Sequence, residues 1–267
     1  MSEFSDHYIK LLQHTSYDLS HHHDGLEFKY DFNHKTLAQL RESYNLNKVA
    51  GHSDELTQLF NVMNWLHEQV KHDNVPLPEQ CNALHILELA QDKPVTMNCY
   101  ALATVLLELL LSLGFYARRI RCRAYDAYDL DSHVVTAVFV HSLDKWIFLD
   151  PSWNTYVTDD HGTILGLEEF RHHLAKELPV RVNGNPEHTE WASFYLSYMS
   201  KNLFWFTSPQ ISTFDYDASQ YNITTCYLLP EYFSPLELHG QSIEDNPNIT
   251  WNPRGFWKAP VLRGICR

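Results

Sequence analysis

"NCYALATVLLELLLSLGFYARRIRC", residues 98–122, decides the fold. Between 98 and 113 the polar residues Thr104, Glu108 and Ser112 lie four apart and form one narrow stripe, and the remainder is almost wholly apolar. A helix with so thin a polar face is wrapped by protein on most sides, which makes it the central helix of its domain. Gly114 is the expected stop. After it the period changes: "YARRIRCRA" (116–124) reads as a strand.

Downstream, "SHVVTAVFVHS" (132–142) and "KWIFLDPSW" (145–153) also read as strands, joined at "SLDK" by a hairpin turn. "LEEFRHHLAKE" (167–177) turns helical again. Upstream, residues 34–43, 53–73 and 80–90 read as helices. The second is the strongest: Ser53 can cap it, and Leu56, Leu59, Phe60, Met63, Leu66 and Val70 recur at helical spacing. One central helix followed by an antiparallel sheet is an α+β arrangement. The chain divides into an N-terminal extension (1–47), a core (48–178) and an aromatic-rich C-terminal extension (179–267) that can pack on the core. Within 188–203 the aromatic spacing is helical, as a packing face would be.

Composition limits the function classes. The 267 residues carry a formal net charge of −13, which repels phosphate backbones, so nucleic acid is not an expected partner. No apolar run reaches membrane-spanning length, and "MSEFSDHYIKLLQ" lacks the basic and apolar regions of a secretory signal, so no membrane association is expected. Five widely spaced cysteines without a CxxC fit a reduced, cytoplasmic setting. The "SHHHDG" cluster at 20–25 reads as a solvated loop, and no histidine has metal-like companions at useful spacing. No metal or cofactor is expected.

The chemistry starts at Cys99, the first residue of the central helix. Free backbone N–H groups and the positive end of the helix dipole favour a thiolate there, and the same N–H groups can receive an oxyanion. A buried packing cysteine is the alternative, so partners decide. His133 opens the next-but-one strand, and Asp150 ends the strand "WIFLD". A carboxylate after Ile147, Phe148 and Leu149 is expected to be buried, and burying it demands a partner such as an imidazole N–H. Nucleophile, base and orienting acid are the set that acyl transfer needs. A symmetric turn at Leu143–Asp144 sets Val140 across from Ile147 and Asp150 across from Ala137, on the face of His133 but roughly 13 Å along the ladder. A bulge or shifted turn has to close that gap.

These stretches resemble the transglutaminase-like superfamily. The pattern is the helix-starting cysteine in "NCYALATVLLELLLSLGFYARRIRC", the strand-borne histidine of "SHVVTAVF" and "KWIFLDPSWN", in that order. The resemblance covers about 50–175, with "LFNVMNWLHEQVKHD" similar to the helix preceding the site. It implies a papain-like core with Cys99 as nucleophile, His133 as general base and acid, and Asp150 orienting His133. Asn98 and Trp65 are candidates for the second oxyanion donor. Two positions depart from the family: Met97-Asn98 stands where Gly-x is frequent before the cysteine, and Val134-Val135 stands where Ala-Trp is frequent after the histidine, removing an aromatic neighbour of the base.

The expected activity is a thiol-dependent amide or peptide hydrolase working through an acyl-enzyme. Two alternatives are an amine-using transglutaminase and an inactive module that binds a protein partner through the C-terminal aromatic region. Asp126, Asp129 and Asp131 in "YDAYDLDSH" border the site and would favour cationic or polar substrates.

Overall fold

The computed structural model describes residues 3–20, 26–126, 128–184, 189–218, 224–234 and 246–261. The histidines at 21–23 and Cys266 lie outside them. The helices are α1 (Glu3–Gln13), α2 (Lys35–Ser43), α3 (Leu46–Ala50), α4 (Glu55–Gln69), α5 (Ala83–Asp92), α6 (Cys99–Ser112), α7 (Leu167–Ala175), α8 (Thr189–Asn202) and α9 (Pro253–Phe256). The strands are β1 (Lys29–Tyr30), β2 (Val70–His72), β3 (Val95–Met97), β4 (Ala117–Arg123), β5 (His133–Val140), β6 (Lys145–Leu149), β7 (Tyr156–Thr158), β8 (Arg181–Asn183), β9 (Trp205–Pro209), β10 (Ile211–Ser212), β11 (Thr225–Leu228) and β12 (Ile249–Thr250).

The fold is α+β, with the cysteine-bearing helix packed on a mainly antiparallel sheet. Its six strands run β12-β11-β9-β4-β5-β6, and only the β11–β12 pair is parallel. Every residue of α6 from Ala101 to Ser112 is buried, the polar stripe included. The stripe is satisfied from inside: the Thr104 hydroxyl accepts from Arg119 Nη1 at 2.5 Å, and Glu108 accepts from the backbone N–H groups of Ala83 (2.6 Å) and Asp215 (2.7 Å). Burial nevertheless pushes the Glu108 carboxyl up to about 8, outweighing the two N–H donors that favour its ionised form.

The sheet has two apolar faces. Ala117, Val138, Val140, Ile147 and Leu149 join the core under α6, and Ile120, Cys122, Val135, Ala137, Phe139 and Phe148 join a second core beneath α7, α8 and the C-terminal segments. This is the period-2 alternation of strands covered on both sides. The C-terminal part shares the same sheet, since β9 pairs with β4 through Arg121↔Thr207, Cys122↔Phe206 and Arg123↔Trp205.

Three expectations shift. The helix read over 53–73 ends at Gln69, because Val70 leaves at φ −132° and ψ 131° to pair with Val95. Asp54, not Ser53, caps it by accepting from Thr57 N at 3.0 Å. The hairpin turn is a 3-10 turn over His141–Leu143 followed by Asp144 at φ 50°. That longer loop pairs Val140 with Lys145, and the last ladder pair is Thr136↔Leu149. Asp150 is thereby carried two residues closer to His133 than a symmetric two-residue turn allows. No helix among the described residues is long and apolar enough to cross a membrane.

Candidate functional site

Cys99 is fixed by the start of its helix. Asn98 caps α6: its side-chain oxygen accepts from Ala101 N at 3.0 Å, and its Nδ2 donates to Val75 O at 2.9 Å. Asn98, a candidate oxyanion donor, thus spends both ends of its amide on holding the helix entry. Trp65, the other candidate, packs on Tyr44 at 5.9 Å between ring centroids. Its ring also packs against the core that includes α6. Cys99 is half-buried, and its Sγ lies 3.9 Å from Ser132 O, at the mouth of β5.

His133 is the first residue of β5 and is 1% exposed. Its Nε2 lies 2.6 Å from Asp150 Oδ2, and the Cys99 sulfur is near enough to favour the charged ring. Burial alone would push the imidazole down, but the Asp150 carboxylate and the Cys99 sulfur outweigh it and hold the ring up at about 10. The structure brings Cys99, His133 and Asp150 into one neighbourhood, with His133 bonded to Asp150 and the Cys99 sulfur beside Ser132.

Asp150 is fully buried and satisfied. Its Oδ1 accepts from Ser152 N at 3.1 Å. Its backbone exchanges two hydrogen bonds with Thr155, at 2.8 and 2.9 Å, which closes the Pro151–Asn154 turn. Gly184 lies against that turn: it has φ +102°, and a Cβ there would strike the Asn154 carbonyl.

Four residues that sequence reasoning left out of the site surround the pair. Trp153 stacks on the His133 ring. Tyr195, fully buried on α8, donates its hydroxyl to Asp150 Oδ2 at 3.0 Å. Tyr198, one turn on, sets its ring edge-on to His133 at 5.3 Å. His72 of β2 meets Trp153 edge-on at 5.2 Å, its ring lowered by burial and by the nearby charge of His133. Trp153 follows the quoted "LDPS" and could have been noted there. Tyr195 and Tyr198 sit in the stripe read as packing, and nothing at their helical spacing singles out one hydroxyl.

The acidic loop before His133 differs from its expected role. Lys201 of α8 reaches both Asp129 (2.8 Å) and Asp131 (2.7 Å), so two of the three carboxylates are answered from within the chain. Among the described residues no cluster of His, Cys, Asp and Glu could hold a metal ion.

Residues 42–151 match the family model of the Transglutaminase-like superfamily. A solved structure from Cytophaga hutchinsonii, described as that of a candidate cysteine protease, is similar at 14% identity with a TM-score of 0.36. That likeness covers 55% of this chain and 47% of the other, under half its length. No curated protein matches the chain. The segment that matches the transglutaminase-like superfamily is therefore the one that holds Cys99, His133 and Asp150.

Proposed function

We propose that the protein is a thiol-dependent hydrolase of amide or peptide bonds. The observation that carries this reading is the buried His133–Asp150 pair, 2.6 Å apart, next to the Cys99 sulfur, which lies 3.9 Å from the carbonyl oxygen of Ser132, the residue before His133. For attack the proton of Cys99 passes to His133, and Asp150 holds the resulting imidazolium. The thiolate attacks the amide carbonyl carbon, and the N–H groups at the start of α6 face the oxyanion. The C–N bond then breaks as His133 gives its proton to the leaving amine, which leaves a thioester on Cys99. Water adds to that thioester while His133 takes up its proton. The C–S bond breaks, a carboxylic acid departs, and the thiolate and imidazolium are restored.

Partial exposure of Cys99 supports an accessible nucleophile, whereas Tyr198 of α8 packs against the His133 ring. The four described cysteines are unpaired, in keeping with a reducing, cytoplasmic setting. The test is alkylation of the native protein by iodoacetamide across pH, read at Cys99 by mass spectrometry. Cys99 is expected to react faster than a small-molecule thiol below about pH 7. Equal or slower reaction removes the nucleophile. A library of peptides incubated with and without a primary amine separates hydrolysis, which adds water at the cleaved bond, from amine transfer.

A further inference from the structure

On α8, beyond the 42–151 match, one side chain reaches the site. Tyr195 is fully buried, and its hydroxyl oxygen is 3.0 Å from Asp150 Oδ2, the same oxygen that accepts from His133 Nε2 at 2.6 Å. Burial and the Asp150 charge push the phenol well above its ordinary range, so the hydroxyl keeps its proton and is the donor. Asp150 Oδ1 is held separately by Ser152 N at 3.1 Å. The carboxylate therefore stays seated without Tyr195, and what the hydroxyl changes is the charge on the oxygen facing His133.

We propose that Tyr195 is a positioning residue of this site, which acts through Asp150 to temper the hold of the carboxylate on the imidazolium. The inference rests on the nucleophile reading above. A base that doubles as an acid must hold its proton through thiolate formation and then release it to the leaving amine. A buried carboxylate with His133 as its sole strong donor on Oδ2 would bind the imidazolium too firmly for that release. A second donor on the same oxygen draws off part of the charge. Residues 42–151 alone do not supply this donor, so α8 is part of the working site.

The test uses the full chain. Cys99 alkylation by iodoacetamide is followed from about pH 4 to about pH 9 by peptide mass spectrometry, with the buried Cys81, Cys122 and Cys226 as slow internal references. Tyr195→Phe keeps the ring and removes the donor. Its midpoint is expected to move to lower pH by about half a unit or more, because the imidazolium is held more tightly. Site-specific 3-fluorotyrosine at 195, a stronger donor with nearly the same shape, moves the midpoint the other way and covers the case in which Tyr195→Phe fails to fold. In an Asp150→Asn background both shifts disappear. If wild-type Cys99 is no more reactive than a free thiol, the nucleophile reading fails and takes this proposal with it. If wild-type Cys99 is acid-reactive but the substituted curves overlay it, or shift equally without Asp150, only the role of Tyr195 is overturned.

Discussion

Trp153 lies stacked on the imidazole of His133, with ring centroids 4.9 Å apart and planes 25° from parallel. It is the aromatic neighbour that Val134-Val135 does not supply, delivered from the turn after Asp150. The same indole meets Trp191 at 5.2 Å and Tyr195 and Tyr198 both at 5.7 Å, so α8 is keyed to the site through one side chain. Trp153→Ala is expected to cost about 3 kcal/mol of stability, the range for truncating a packed aromatic. It should also slow Cys99 alkylation by loosening His133. Urea midpoints and alkylation rates measure the two effects, and an unchanged rate would show that the stack packs the helix without orienting the base.

Asp150→Asn removes the charge that holds the His133 proton. With that charge gone and burial still disfavouring the imidazolium, the ring should titrate well below the wild-type value of about 10. Cys99 alkylation at about pH 6 should fall about 10- to 1000-fold, the span set by losing one close opposite charge. Histidine NMR and alkylation kinetics on the same sample check both expectations.

Stability should decline as pH rises, because two buried groups bind protons more tightly in the folded state. Glu108 goes from an ordinary 4.5 to about 8, so its contribution is whole below 4.5 and is lost on the way to 8. His133 goes from 6.5 to about 10, so its contribution is whole below 6.5 and is lost toward 10. Urea unfolding across this range should show a falling midpoint. Glu108→Gln should flatten the acid part of the slope and leave the alkaline part, and a flat wild-type profile would contradict both assignments.

Gly184→Ala is expected to do more harm than an exposed loop change usually does. The position has φ +102°, and the added carbon meets the Asn154 carbonyl. Relief requires moving the turn that Asp150 and Thr155 close. A loss of about 2 kcal/mol or more in stability should come with slower Cys99 alkylation. A stability loss with unaltered alkylation would separate the Gly184 contact from the site.

Much of the fold could be read because the signals were local and repetitive. The apolar run of α6, the break at Gly114 and the alternation in β5 and β6 each report burial within one segment. The order of Cys99, His133 and Asp150 carried a resemblance that the family match supports for the segment. What could not be read depends on partners distant in sequence. Val70 fits a helical stripe until Val95 offers a strand pair. The hairpin register turned on Asp144 adopting φ 50°, which "SLDK" does not specify. Tyr195 resembles the other aromatics around it until the fold brings Asp150, 45 residues earlier, against its hydroxyl.

The pairing of β4 with β9 has a consequence for synthesis. Cys122 cannot find Phe206 until more than eighty further residues have left the ribosome. Until then one long border of the nascent sheet carries open amide and carbonyl groups, a template for stray strands. Maturation of the thiol site is thereby coupled to completion of the chain, and a transcript truncated before residue 205 would yield a sticky, unfinished product.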